Sequence, residues 1–168
     1  DRSISKMMKK VLDDPSILYS AKSQSNKASF FPQRKPEDGW ADWNLTQKEI
    51  FAHSRSLSRP YPGLRSEDKD GNQLIIQKCQ PFDDEVYSSP GTIDFIFEDK
   101  SFLISCSNGR VIILDYLLSS DNFNFYCGAK LKSVNFKRIL KNIIKSHEDR
   151  FPTKPINKRI LNRLSSYE

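Results

Sequence analysis

Three side chains near residue 35 could bind a substrate without reacting with it: Phe31, Arg34 and Trp40. A guanidinium takes a phosphate or carboxylate through paired hydrogen bonds. An aromatic face beside it can stack on a base or a sugar. The alternative for this stretch is structural, with Asp42 and Trp43 anchoring a linker. A second cationic group lies at Lys137, Arg138, Lys141 and Lys145. It could hold a polyanion by its phosphates. A basic amphipathic helix of this kind also serves as a face packed on its own protein with its charges in water.

Other chemistry-bearing residues are sparse. His53 has no Cys, His or carboxylate at metal-ligand spacing and reads as a half-exposed helix residue. The run Asp83-Asp84-Glu85 lacks the alternation and the Gly of a calcium loop and reads as a solvated loop. Arg55 and Arg59 fall on or just after one helix, where structural use is the simpler reading. No phosphate-binding Gly loop, zinc motif or nucleophile motif occurs in the sequence. No catalytic and no metal-binding residue is assigned.

The elements that must position these residues are legible in the periodicity. Ile4, Met7, Met8 and Val11 fall at helical spacing with Lys6, Lys9 and Lys10 outside, and Asp13-Asp14-Pro15 stops the helix. Residues 20–27 read as a polar loop and residues 28–31 as a short strand. Pro36-Glu37-Asp38-Gly39 reads as a turn whose Gly permits positive φ. Thr46 and Glu49 form a capping box, with Leu45 and Ile50 as its hydrophobic staple. Pro60 and Pro62 end that helix. From residue 64 to 118 the period becomes two. Asp70-Gly71 signals a hairpin before residues 73–77, and residues 81–90 read as a loop. Ile93, Phe95 and Phe97 alternate, as do Phe102, Ile104 and Cys106. Asn108-Gly109 signals a second hairpin leading to residues 111–114. Five short strands in this space fit a small barrel or rolled sheet. Val134, Phe136, Leu140, Ile143 and Ile144 then give a helical apolar face, broken by Pro152 and Pro155. A second helical run follows, with Ile156, Ile160, Leu161 and Leu164 set against Lys158, Arg159 and Arg163.

Composition narrows the setting. The chain has 168 residues, room for one domain or a small domain with appendages. Residues 124–168 carry eleven Lys and Arg against three Asp and Glu, and residues 1–123 carry sixteen against eighteen, so the basic character belongs to the tail. Cys79, Cys106 and Cys127 are odd in number and widely spaced, which argues for a reduced setting, with Cys79 and Cys106 as buried apolar groups. No apolar run approaches the length of a membrane span.

The string Phe31-Pro32-Gln33-Arg34-Lys35-Pro36-Glu37-Asp38-Gly39-Trp40-Ala41-Asp42-Trp43, followed by Arg59-Pro60-Tyr61-Pro62-Gly63, resembles the junction in the formyl-tetrahydrofolate-dependent formyltransferases. That family includes methionyl-tRNA formyltransferase and the nucleotide-sugar N-formyltransferases. There the junction joins a Rossmann-type catalytic domain to a small barrel similar to an oligonucleotide-binding (OB) fold. The resemblance implies an α+β fold in three parts. Residues 1–38 would be the end of a catalytic domain plus linker, 39–118 an OB-like antiparallel barrel, and 119–168 a basic helical tail. The family's Asn, His and Asp lie upstream of the junction, so this chain would be the C-terminal portion of a longer cytoplasmic enzyme. It would support substrate binding or assembly, with formyl-tetrahydrofolate held elsewhere in the parent protein and none by this chain. Its partners would be the missing Rossmann domain and an acceptor that is a nucleotide-linked amino sugar or methionyl-tRNA, with a homodimer as a further option. The Arg59–Gly63 string is closer to the sugar enzymes. The rival reading is a non-catalytic OB-like module that binds nucleic acid.

Overall fold

The structure is a computed structural model that describes residues 2–20, 22–23, 30–32, 35–157 and 162. Five antiparallel strands carry the fold: β1 Leu64–Glu67, β2 Gln73–Asp83, β3 Ile93–Ile96, β4 Phe102–Cys106 and β5 Gly109–Leu118. Their order across the sheet is β1-β2-β5-β4-β3. Residues that alternate along the strands, among them Leu74, Ile76, Ile93, Phe102, Ile104, Val111 and Ile113, turn to one face and are fully buried. Burial of that single face is what fixes the strand register, because a one-residue slip would turn it to water.

Helix α2 (Gln47–Leu57) packs on this sheet through Ile50 and Leu57. Its start is the expected capping box. Glu49 N–H donates to Thr46 Oγ1 at 3.4 Å, and Thr46 N–H donates to Glu49 Oε2 at 3.0 Å. Gln47, the first helical residue, reaches across to the sheet. Its Nε2 donates to the Asp83 carbonyl at 2.9 Å and to Asp84 Oδ1 at 2.7 Å, and its N–H donates to Asn108 Oδ1 at 2.9 Å.

The two edges of the sheet are covered by backbone from outside the strands. Residues 39–41 lie along β1, with Arg65 N–H donating to the Gly39 carbonyl and Ala41 N–H to the Arg65 carbonyl. Residues 128–134 reach both edges. Leu131 N–H donates to Gly91 beside β3, Lys132 N–H to Glu67 of β1, and Val134 N–H to Ala41. Phe123, Ala129 and Leu131 are buried in the same cluster as the strands. Residues 119–134 are therefore packed, non-helical chain, and the helical part of the tail begins with α3 (Phe136–Arg150).

Asp68, fully buried after β1, organises the first hairpin and the approach to residue 124. Its Oδ1 accepts N–H bonds from Asp70 and Asn72. Its Oδ2 accepts from Asn72 Nδ2, Asn124 N and Asn124 Nδ2, all five at about 2.9 Å. Nothing in the hydrophobic pattern pointed to it.

Helix α1 (Arg2–Asp13) and the short 3₁₀ helix after it, Pro15–Ser20, contribute no residue to the core. Ile4, Met7, Met8, Leu12 and Leu18 are all more than half exposed, so the predicted apolar stripe stands open.

Several expectations are corrected. β2 continues through Pro81 to Asp83, because Pro81 sits opposite Val111 beside a register shift, where a missing N–H is tolerated. The second hairpin turns on Ser107–Asn108, and Gly109 already pairs with Cys106 as the first residue of β5. Gly39 has φ −90°, so its role is not positive φ. A Cβ there would come within 3.3 Å of the Gly63 and Pro36 carbonyls. The strand expected at 28–31 is, within the described residues, a single bridge between Phe30 and Ile156. Val134 lies before α3 rather than on it.

Candidate functional site: the cleft between linker and tail helix

Asp42 and Trp43 fix the linker from beneath. The Trp43 indole is fully buried, and its Nε1–H donates to Ser66 Oγ at 3.1 Å. Asp42 Oδ1 accepts from Asn44 N, Asn44 Nδ2 and Ser133 Oγ, each at 3.1 Å. Its Oδ2 accepts from Phe136 N at 2.9 Å, at the first residue of α3. A carboxylate at a helix N-terminus satisfies an otherwise unpaired N–H and meets the positive end of the helix dipole. Phe136 also packs on the His53 ring, centroids 4.6 Å apart. His53 is thus buried, not half-exposed, because the tail helix covers it.

A second anchor lies at the far end of α3. Phe30 N–H donates to the Pro155 carbonyl and Asn157 N–H to the Phe30 carbonyl, both at 2.9 Å. Lys154 Nζ sits over the Phe30 ring at 5.6 Å and the Phe151 ring at 4.8 Å. Between the two anchors the linker and α3 enclose a cleft of about 340 Å³. Pro32, Ile139, Ile143 and Phe151 give it apolar walls, and Lys35, Asn142, Ser146 and Arg150 supply polar groups.

Replacing Asp42 with Ala should leave the Phe136 N–H without its acceptor and loosen both segments together, at a cost of about 2 kcal/mol. Amide hydrogen exchange at Asn44 and Phe136 checks this. Acceleration at Asn44 alone would show that the linker and α3 are not coupled through this carboxylate.

The sequence-derived site residues fall in different places. Phe31 is two-thirds exposed. Trp40 is half-buried and bridges Arg65 at the edge of the sheet. Arg34 lies outside the described residues, as does most of the second tail run. Neither Phe31 nor Trp40 lines the cleft, whereas their neighbours Pro32 and Lys35 do. Arg138, Lys141 and Lys145 are exposed on α3, and Lys137 is half-buried. Lys145 borders a shallower depression that shares Asn142, Ser146 and Arg150 with the cleft. Arg55 lies 5.5 Å over the Phe51 ring.

The acidic run is a solvated loop only in part: Asp84 and Glu85 are exposed beyond β2, whereas Asp83 is the last residue of that strand and half-buried. Arg110 pairs with Asp83 through Nε at 2.9 Å and through a second, shorter contact, and its guanidinium lies 4.6 Å from the Tyr87 ring. Hydrogen bonding to Arg110 holds the Asp83 carboxyl below its ordinary range. The signal that could have found this pair is the adjacency of Asp83 and Arg110 once β2 is extended to oppose β5.

The cleft is also lined by Asp38 and His147, which with Asn142 supply the residue types of a formyl-transfer relay. The geometry does not make one. His147 Nε2 stands 3.0 Å from the Lys154 carbonyl, which can only accept, so that nitrogen carries its proton there. Asp38 Oδ2 accepts from Lys35 N at 2.7 Å and is turned into its own 3₁₀ turn. No Asp–His hydrogen bond joins the two among the described residues.

A capped helix on a five-stranded antiparallel sheet, entered by a tryptophan-anchored linker, defines an α+β domain. The family described as formyl transferase, C-terminal domain, matches residues 34–121, just over half of the chain, and the chain belongs to that family. Two curated relatives share the region. Bifunctional polymyxin resistance protein ArnA of Wigglesworthia glossinidia brevipalpis is 36% identical over 87 residues, 52% of this chain and 12% of the relative. Methionyl-tRNA formyltransferase of Ligilactobacillus salivarius (strain UCC118) is 32% identical over 95 residues, 56% of this chain and 29% of the relative. The chain thus spans under a third of either relative. A solved variant of HypX from Aquifex aeolicus superposes with a TM-score of 0.50 at 15% identity, covering 84% of this chain and 24% of that one, a likeness of fold. Among the described residues, no helix is long and apolar enough to cross a membrane.

Proposed function

We propose that this chain is the C-terminal portion of a cytoplasmic enzyme that moves a formyl group from formyl-tetrahydrofolate to an amine, and that it supports acceptor binding or assembly while the chemistry resides upstream. The family match across the linker, α2 and the sheet carries this reading. The open apolar stripe of α1 supports it, because Ile4, Met7, Met8 and Leu12 have the spacing of a helix that packs against more protein than is present here. On this reading residues 1–38 complete a Rossmann-type domain, the sheet is an OB-like unit, and residues 119–168 are its appendage. The acceptor is a nucleotide-linked amino sugar, on the likeness of Arg59-Pro60-Tyr61-Pro62-Gly63 to the sugar enzymes. Methionyl-tRNA is the second candidate, favoured by the basic tail and by the relative that carries that name.

The test is to express the complete reading frame and supply formyl-tetrahydrofolate with either a dTDP- or UDP-linked amino sugar or methionyl-tRNA. Formylated sugar is the expected product, and the 168-residue chain alone should give none. Turnover by the isolated chain, or a complete reading frame without a domain bearing an Asn-x-His relay, would contradict the assignment.

A further inference from the structure

The cleft between the linker and α3 has the size and lining of a small-molecule site. Its 340 Å³ falls at the lower end of the range of about 300–1,000 Å³ for such clefts, and it combines apolar walls with a few polar groups. Ile139, Ile143, Phe151 and Pro32 are each half-buried, so the walls stay apolar and partly open. Two cations stand at the mouth, Lys35 and Arg150, both exposed and neither ion-paired among the described residues. The Arg150 guanidinium lies over the Phe151 ring, 5.2 Å from its centroid. Stacking uses the face of a guanidinium and leaves its N–H edge for an anion. Asp38, the one carboxylate in the lining, already accepts from the Lys35 backbone. An occupant that matches these groups offers an apolar body to the walls and an anionic group to the mouth.

We propose that this cleft binds a nucleoside monophosphate, or a molecule of that build, as a free small molecule. The same base and phosphate could come from one unit of an RNA strand, and the titration below separates the two sources. The proposal rests on the cleft and is independent of the formyl-transfer reading.

The test is an NMR titration of the 168-residue chain with uridine 5′-monophosphate, uridine, inorganic phosphate and an oligouridylate. The nucleotide should give saturable shifts at Lys35, Asn142, Ile143 and Ser146, with a dissociation constant of about 1 mM or lower. Uridine and phosphate alone should each bind at least about tenfold more weakly, since each fills half of the site. The double variant Lys35→Ala, Arg150→Ala should weaken the nucleotide at least about tenfold while keeping the amide dispersion of the folded chain, as both side chains are exposed. Changing Lys141 and Lys145 to Gln should leave the nucleotide within about twofold, because neither lines the cleft. Three results would overturn the proposal. One is no saturable shift at about 10 mM nucleotide. Another is unchanged affinity in the double variant. The third is oligouridylate binding far more tightly than the monomer and depending on Lys141 and Lys145. None of these readouts involves formyl transfer, so failure here leaves that assignment standing.

Discussion

Replacing Asp68 with Ala should lower the unfolding free energy by about 3–5 kcal/mol, the range for stripping a buried charged acceptor from its donors. Five N–H groups, on Asp70, Asn72 and Asn124, would lose their partner at once. In a chain of this length that amounts to a fall in Tm of about 10 °C. The same residue sets part of the acid response. Burial alone would raise the Asp68 pKa, but hydrogen bonds from Asn72 and Asn124 outweigh it and hold the carboxyl far below the ordinary range. The folded state therefore favours the charged form. Its contribution is complete above the unfolded value, about 3.9, and is lost as pH falls from there toward the folded value. Urea midpoints measured from neutral pH down to about pH 2 should fall more steeply for the native chain than for Asp68→Ala. Parallel curves would show that another carboxylate, such as Asp83, carries the acid sensitivity.

Gly109→Ala should be of similar or greater cost, about 3–5 kcal/mol from overpacking plus broken hydrogen bonds. Gly109 has φ +146°, and a Cβ there would collide with the Asp83 carbonyl oxygen and Gln47 Nε2, with Asp84 Cα at 2.9 Å. Two of those contacts are backbone atoms that cannot rotate aside. The third is the side chain joining α2 to the sheet, so the clash would also detach the helix start. Gly71→Ala is the control. Gly71 has φ +88° with nothing within 4 Å of the added Cβ, so only the strain of the left-handed backbone remains, about 1–2 kcal/mol. A urea midpoint for Gly109→Ala no lower than that of Gly71→Ala would refute the packing argument.

The pair explains what the sequence could and could not reveal. Local signals were legible where one segment carries the whole cause. Thr46 and Glu49 specify their helix start within four residues, period-two alternation located β3 and β4, and the two hairpin signals located β2 and β5. Errors arose where a distant segment decides. Pro81 looked like a loop until Val111 was set opposite it. His53 looked half-exposed because Phe136 lies more than eighty residues away in sequence. The Asn108-Gly109 signal was sound, but the pairing of Cys106 with Gly109 moved the turn by one residue. The site was harder still. Phe31 and Trp40 were singled out by residue type, whereas the described lining of the cleft comes from Pro32 and Lys35 with α3, a juxtaposition set by two anchors invisible to periodicity, and Arg34 lies outside the described residues.

The arrangement of residues 128–134 bears on how this domain is born. The β3 rim of the sheet awaits hydrogen bonds from a segment that leaves the ribosome only after every strand has emerged, whereas the β1 rim is met by residues 39–41, which emerge first. A nascent chain that has reached only residue 121, where the family match stops, would present an unpaired β3 rim to its neighbours. Chains trimmed to the family boundary should therefore clump, and ones carried through residue 134 should stay dispersed.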